Sequence, residues 1–189
     1  MSVLRILALT AALDPAASTQ QVTPQLAHSE AEAYAVDDIP IPEDLVLEVG
    51  GLLPDGHGGL YVCTRRGDLW HVADAAGDAP TWTLFADGLA EPLGLLFHED
   101  ALLVTQRAEL TALRDEDGDG RAERFDTLAQ WDISGSYHEY AFGPRRDADG
   151  KLWVTLNRPF DAEPFGKVDW RGWALRIDPD TGAREPVAC

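Results

Sequence analysis

An acidic loop between residues 115 and 126 combines hard oxygen ligands with the spacing of a calcium site. Aspartates stand at its first, third and fifth positions, a glycine at its sixth and an acid at its twelfth. The candidate ligands for Ca²⁺ are Asp115, Asp117, Asp119, Glu123 and Asp126. Such an ion would be structural. The alternative remains open, because an Asp-Gly-Asp-Gly turn also closes hairpins without a metal.

A guanidinium follows each of three apolar stretches at nearly the same register. The sequences VCT, VTQ and VTLN directly precede Arg65, Arg107 and Arg158. Guanidinium groups pair bidentately with carboxylates and phosphates, which predicts a ligand that carries several such groups. Asn157 and Arg171 are further candidate contacts. The alternative is that each arginine pairs with an acidic neighbour of the protein itself.

The segment between Leu156 and Trp173 is rich in aromatic and basic residues. In one interpretation these side chains form an aromatic and cationic surface, the aromatic wall, that covers a planar ligand. They are Phe160, Phe165, Trp170 and Trp173 with Arg158 and Arg171. Loops longer than about 12 residues are usually functional or disordered. Packing over a neighbouring sheet is the alternative.

The elements that must position these residues form a repeat. Each unit has an apolar strand, a polar turn and a second strand, and the anchors Tyr61, Leu103 and Trp153 are 42 and 50 residues apart. A period of about 40–50 residues with four strands per unit is typical of β-propeller blades. The sequence therefore predicts an all-β fold with about three four-stranded blades. Since closed propellers have about 4–8 blades, we expect a fragment of a larger ring.

Strand bounds can be predicted for the second unit and for the start of the third. The second unit divides into residues 93–97, 101–105, 109–114 and 124–128. In the third, strands at 139–142 and 152–155 flank a polar turn at 143–150 that is rich in glycine, proline and aspartate.

The polarity of the strands assigns the loops to two faces of the disc. In an antiparallel blade, the link between blades and the second-to-third turn lie on one face. We call it the arginine face, because it carries Arg65 and Arg107. His138 precedes an inner strand and is predicted on this face too. The loop with Asp115 lies on the opposite face, which we call the acidic face.

Composition narrows the choice of partners. The formal charge of −18 argues against nucleic acid and anionic membrane surfaces, since phosphate binding requires a basic surface. The two cysteines, Cys63 and Cys189, are too few for a disulfide framework. Cys63 falls within a predicted strand, which favours a buried, inert thiol.

The first 44 residues differ in character from the repeat. Residues 1–18 have the pattern of a signal peptide, with Arg5, a short apolar run and small residues near Ala16. A frayed tail is the alternative, and the run is too short to span a bilayer. We expect a secreted or periplasmic protein, with a linker at 19–44 and the partial propeller at 45–189.

Three stretches resemble the soluble quinoprotein glucose and sorbosone dehydrogenase-like six-bladed propellers. They are LYVCTRRGDLWHV, GLAEPLGLLF and HEYAFGPRRDADGKLWVT, within residues 45–189. The last is similar to the family's His-x-x-x-Phe-Gly-Pro-Asp-Gly-x-Leu-Tyr-Val segment. The likeness is greatest to large secreted relatives of the membrane-bound dehydrogenase type, often fused to haem-carrying modules.

The resemblance implies a six-bladed ring and a redox function. It implies that His138 is the base that takes a hydroxyl proton from a sugar or polyol while hydride passes to pyrroloquinoline quinone (PQQ). The cofactor's carboxylates would explain the arginines, and a haem-carrying module would accept the electrons. Glu139 and Tyr140 depart from the small residues that usually follow this histidine.

Two functional hypotheses result. The first is the N-terminal half of a PQQ-dependent sugar or polyol dehydrogenase, inactive as this chain alone. The second is a non-catalytic propeller module that binds carbohydrate or protein, in which His138 only closes the junction between blades.

Overall fold

The computed structural model describes residues 3–9, 34–158 and 169–188. Within these ranges the regular secondary structure consists of β-strands, without a helix. Strands β1 (Val3–Leu9) and β2 (Tyr34–Pro40) pair antiparallel as a separate two-stranded sheet. They fall within the segments predicted as signal peptide and linker. In the part of the chain that is described, no helix is long and apolar enough to cross a membrane.

Three four-stranded antiparallel sheets follow in chain order. The first holds β3 (Val49–Pro54), β4 (Leu60–Thr64), β5 (Leu69–Ala73) and β6 (Thr81–Ala86). The second holds β7 (Leu95–His98), β8 (Ala101–Thr105), β9 (Glu109–Arg114) and β10 (Arg124–Gln130). The third holds β11 (Ala141–Arg146), β12 (Leu152–Leu156), β13 (Ala174–Ile177) and β14 (Arg184–Ala188). Each strand pairs with the next, which confirms the predicted propeller blades.

The core lies between the blades because the middle strands are buried on both faces. In β8, Leu102 and Val104 belong to the cluster shared with the first blade, whereas Ala101 and Leu103 belong to the cluster shared with the third. This two-sided burial explains why the strand is a continuous apolar run without the alternation of a half-exposed strand. Ile39 of β2 joins a third cluster on the remaining face of the first blade.

Glycines let the inner strands approach one another closely. A Cβ on Gly50 would lie 2.1 Å from the Pro92 carbonyl oxygen, and one on Gly94 would lie 1.8 Å from the Gly143 carbonyl oxygen. No other residue fits at either position without moving the backbone of the neighbouring blade.

One predicted turn is shorter than expected. Gly143 and Pro144 were predicted in the turn at 143–150, but β11 continues through them to Arg146. A bulge between Phe142 and Arg145 accommodates the extra residues, since a bulge lets two residues on one strand oppose a single partner. The turn itself begins at Asp147, whose Oδ1 accepts the N–H groups of Asp149 and Lys151, both at 2.9 Å.

Candidate functional site

One backbone hydrogen bond recurs in all three blades and brings each second-to-third turn beside the link that enters its blade. Arg65 N–H donates to the Glu48 carbonyl at 2.9 Å, Arg107 N–H to Ala90 at 3.0 Å, and Asn157 N–H to Tyr140 at 3.2 Å. Arg65, Arg107 and Asn157 are therefore equivalent. The first two were predicted at this register, but the third blade places Asn157 there, and Arg158 is the exposed residue after it.

Glu91 joins the two equivalent arginines. Its Oε1 lies 3.3 Å from Arg65 Nη2, and its Oε2 lies 3.5 Å from Arg107 Nη1. Glu91 has φ 47°, a left-handed conformation that is uncommon for a residue with a side chain. The arrangement matches the alternative in which arginines pair with acidic neighbours. It still leaves two guanidinium groups facing one carboxylate.

Tyr137 extends this cluster towards the third blade. Arg65 Nη2 also donates to the Tyr137 hydroxyl at 3.4 Å, and Arg107 Nη2 donates to the Ser136 carbonyl oxygen. The hydrogen bonds to Tyr137 and Glu91 raise the pKa of Arg65. Tyr137 is 60% exposed, so its ring faces solvent beside the ion pairs.

His138 lies on the arginine face, as the strand polarity predicts. Its imidazole is exposed and meets the Tyr137 ring edge to face, with centroids 5.1 Å apart. Asn157 Nδ2 donates to the His138 carbonyl at 2.6 Å, and Asn157 Oδ1 accepts the Tyr140 N–H. Asn157 thus orients the loop that carries the histidine.

The buried side chain of Glu139 holds the same loop in place. It is 1% exposed, and its two carboxylate oxygens accept the N–H and the hydroxyl of Ser134, both at 2.7 Å. A buried charge is tolerated only when such donors surround it. The acidic residue after His138 therefore has a structural role in fixing the loop.

Arg171 is largely buried and donates to backbone oxygens. It is 9% exposed, and its guanidinium donates to the carbonyls of Asp132, Tyr140 and Arg107. Burial lowers its pKa, although nearby acids oppose the shift. These carbonyls are bound by the group that was predicted to contact a bound carboxylate.

The aromatic wall is described only in part. Phe160 and Phe165 lie outside the described residues. Trp170 packs against the core between the second and third blades, with the Arg184 guanidinium 4.8 Å from its ring centroid. Of the two predicted roles for this segment, Trp170 takes the packing role.

The acidic face brings together four of the five predicted calcium ligands. One carboxylate oxygen from each of four acids lies within 4.8 Å of the others: Asp115, Asp117, Asp119 and Glu123. The loop is folded by its own backbone, because Asp115 accepts the N–H groups of Gly118 and Gly120 at 2.7 and 2.9 Å. Hard oxygen donors of this kind are the ligands that calcium prefers, but exposed acids also converge without an ion, so the calcium site stays a prediction.

Asp126, the fifth predicted ligand, lies outside this group. Its Oδ2 is 2.8 Å from both Arg114 Nη1 and Arg124 Nε. It lies on β10, where its backbone is fixed by pairing with β9. Two guanidinium groups thus neutralise the carboxylate that the loop spacing suggested for the metal.

The arginine face fits only part of the contact set predicted for PQQ. Arg171 and Asn157 direct their donors to the protein's own carbonyls, so they do not fit the role of binding its carboxylates. Arg65, Arg107 and the exposed Arg158 fit it. The Nε atoms of Arg65 and Arg107 and the Thr105 hydroxyl are buried without a hydrogen-bond partner among the described residues. Such orphaned groups are rare, and because they are buried they add no contact that a ligand could reach directly.

Sequence reasoning missed Glu91 and Tyr137. Glu91 stands in the GLAEPLGLLF link, which was interpreted only as a junction between blades. Glu91 is distant from both arginines along the chain, 26 residues in the case of Arg65, so no local pattern marks the contact. The sequence could have indicated the contact only through the assignment of loops to faces, because that assignment places the link between blades beside the second-to-third turn.

Comparisons with known proteins agree with the fold. A solved luciferin-regenerating enzyme matches with a TM-score of 0.54 at 13% identity, over 79% of this chain and 48% of that one. The chain thus spans about half the length of this structural relative, and the likeness shows the fold alone. No curated protein matches the chain. A family model described as Domain of unknown function (DUF7133) matches residues 55–188. Since that match spans most of the sequence, the chain belongs to the DUF7133 family.

Proposed function

We propose that the arginine face binds a sugar or polyol, as part of a larger propeller. The observation that carries this proposal is the exposed Tyr137 ring beside the Arg65–Glu91–Arg107 ion pairs and the His138 imidazole. Small-molecule sites combine apolar or aromatic surface with a few placed polar groups. Here one aromatic ring provides the surface, and guanidinium, carboxylate and imidazole groups provide donors and acceptors for hydroxyls.

The local charge favours a sugar that carries a carboxylate. Two guanidinium groups share Glu91, which leaves an excess positive charge in a chain of net charge −18. A carboxylate of the ligand can pair with these guanidinium groups, because charge-assisted hydrogen bonds of this kind are strong. We therefore expect uronic or aldonic acids to bind more tightly than neutral sugars.

Titration of the whole chain with a panel of neutral and acidic sugars tests the proposal. Tyr137→Ala is expected to weaken binding about tenfold, since it removes the ring and one partner of Arg65. Phe125→Ala is the matched control, because Phe125 is an exposed aromatic residue of an outer strand, away from the arginine face. Equal loss in both variants, or no binding of any sugar, would contradict the proposal.

A second candidate is the redox version of the same site. The exposed imidazole of His138 on this face favours it, because a base must reach the hydroxyl whose proton it takes. When bound, PQQ supplies a quinone that accepts hydride from the carbinol carbon. Arg65, Arg107 and Arg158 would hold its carboxylates, Tyr137 would orient the sugar ring, and His138 Nε2 or Nδ1 would take the proton.

Two measurements separate the candidates. Quinone absorbance during titration with PQQ reports cofactor binding, and dye reduction with the sugar panel reports turnover. In a protein that contains the complete ring, His138→Ala should abolish turnover but leave sugar binding within about twofold if His138 is the base. Sugar binding without any PQQ binding supports the non-catalytic module, and the reduction assay then shows no difference between the variants.

A further inference from the structure

A pocket between the first two blades opens on the acidic face, away from His138. Its cavity volume is about 240 Å³, and its walls include Tyr61, Phe85 and Phe97. Phe97 is 41% exposed and Phe85 is 6% exposed, so the rings extend from the core to the surface. None of these residues takes part in the arginine face.

The three rings line the pocket and pack against one another. Tyr61 meets Phe85 at an interplanar angle of 87° with centroids 5.3 Å apart, and it meets Phe97 at 84° and 5.5 Å. Edge-to-face packing fixes each ring with the π faces in perpendicular directions, and Tyr61 also packs against His71 with centroids 4.5 Å apart. Perpendicular aromatic walls are the geometry with which proteins hold alkylated ammonium groups.

Carboxylates line the rim of the same cavity. Glu99, Asp100 and Asp115 are lining residues. Of these three, Asp100 pairs with Arg114 at 3.2 Å. Glu99 has φ 53°, so an acidic side chain stands in a conformation that glycine adopts more easily. Burial and the negative charges of Asp55 and Asp115 raise the pKa of Tyr61, in agreement with a negative field at the rings.

We propose that this pocket binds an organic cation with an alkylated ammonium group. The rings attract the cation through their quadrupoles, and the carboxylates of Glu99 and Asp115 compensate its charge at the rim. An inorganic cation would be held by the acidic loop, whose four oxygens converge without the rings. The aromatic lining therefore distinguishes the two sites that share Asp115.

The ammonium group could come from a small molecule or from a methylated lysine of a peptide, and two arms of one experiment distinguish these sources. Choline and a trimethyl-lysine peptide are titrated separately into the whole chain, with EDTA present, and the N-methyl proton shift is followed by NMR. Stacking between rings moves that signal upfield. The neutral isostere of choline, 3,3-dimethyl-1-butanol, measures the contribution of the charge.

We expect one of the two cations to bind at least tenfold more tightly than the neutral isostere. Phe97→Ala should weaken that binding about fivefold, and Glu99→Gln should weaken it and reduce its dependence on salt. Phe142→Ala is the control, because Phe142 is 45% exposed on the third blade and does not line the pocket. Both Phe97 and Glu99 are exposed, so these variants are expected to fold.

Three results would overturn the proposal. Equal affinity for choline and its neutral isostere would make the pocket a simple apolar cavity. Equal weakening by Phe97→Ala and Phe142→Ala would place the cation elsewhere. No shift with either cation at millimolar concentration would show that the rings serve only to pack the blades.

Discussion

The two faces of the partial propeller hold their charges in opposite ways. On the arginine face, charged side chains from different blades hold one another, since Glu91 of one link pairs with Arg65 and Arg107. On the acidic face, the four converging carboxylates belong to one loop and accept backbone N–H groups of that same loop. The first arrangement exists only when the blades are assembled, whereas the second is largely local.

This difference shows which charges are available to a ligand. On the arginine face, Glu91 neutralises part of the positive charge, and Arg171 donates its hydrogen bonds to backbone carbonyls. The acidic loop keeps four carboxylates that backbone N–H groups orient without neutralising. We therefore propose calcium for the acidic face and a sugar or polyol for the arginine face.

The largest expected effect comes from disturbing the spacing of the blades. In Gly94→Ala the new Cβ would lie 1.8 Å from the Gly143 carbonyl oxygen, so the inner strands must separate. We expect a loss of about 3 kcal/mol in the free energy of unfolding, measured by urea denaturation. Gly88→Ala is the control, because it has φ 74° but open space around the Cβ, and about 1 kcal/mol of backbone strain is expected. Similar losses in both variants would contradict the steric explanation.

Calcium is expected to stabilise the protein by binding at the acidic face. At a hundredfold excess over Kd, a bound ion adds about 2.7 kcal/mol to the free energy of unfolding. Asp117→Asn should remove this gain, because Asp117 belongs to the converging group. Asp126→Asn should retain it, because Asp126 is paired with Arg114 and Arg124. The same Tm with calcium and with EDTA would show that backbone N–H groups alone organise the loop.

Acid should weaken the turns of the acidic face. Hydrogen bonds from Trp153, Arg176 and the Lys151 N–H lower the pKa of Asp147 to about 2, although desolvation opposes them. Because the folded pKa lies below the ordinary value of 3.8, Asp147 stabilises the fold above about pH 4. That contribution is lost as the pH falls towards 2.

Asp147→Asn tests this pH dependence. The Tm of the variant should lie several degrees below that of the wild type at pH 6, and the two should converge near pH 2. Asp149→Asn, which alters the exposed partner of Arg176 but not the turn, is the control. A constant difference between Asp147→Asn and the wild type at every pH would contradict the linkage.

The smallest effect is expected on the arginine face. Glu91→Gln keeps the size of the side chain but removes the charge shared by Arg65 and Arg107. We expect a decrease of about 1–3 °C in Tm at low salt that shrinks at 1 M salt, since these ion pairs are partly exposed. Glu109→Gln, in a side-chain network of neutral partners, should show no such dependence on salt.

Much of the fold could be predicted because its signals are local. The spacing of Tyr61, Leu103 and Trp153 predicted the blades, and β8 and β9 have the predicted bounds. Pairing of β11 past Gly143 could not be predicted, because a glycine and a proline usually favour a turn and only the opposite strand permits the bulge. Cys63 is buried with its pKa raised to about 12, as expected of an inert thiol.

The sequence by itself determined the repeat, the four-stranded units and the face on which each loop lies, because strand periodicity and turn chemistry act over a few residues. Only the tertiary structure decided the partners of the charges: that Glu91 joins Arg65 and Arg107, that Asp126 belongs to arginines, and that Arg171 turns inward. The physical reason is distance along the chain. Apart from the pair of Asp126 with Arg124 on the same strand, these contacts connect residues from different strands, loops or blades. Their energies depend on a separation of a few ångströms that no local pattern records.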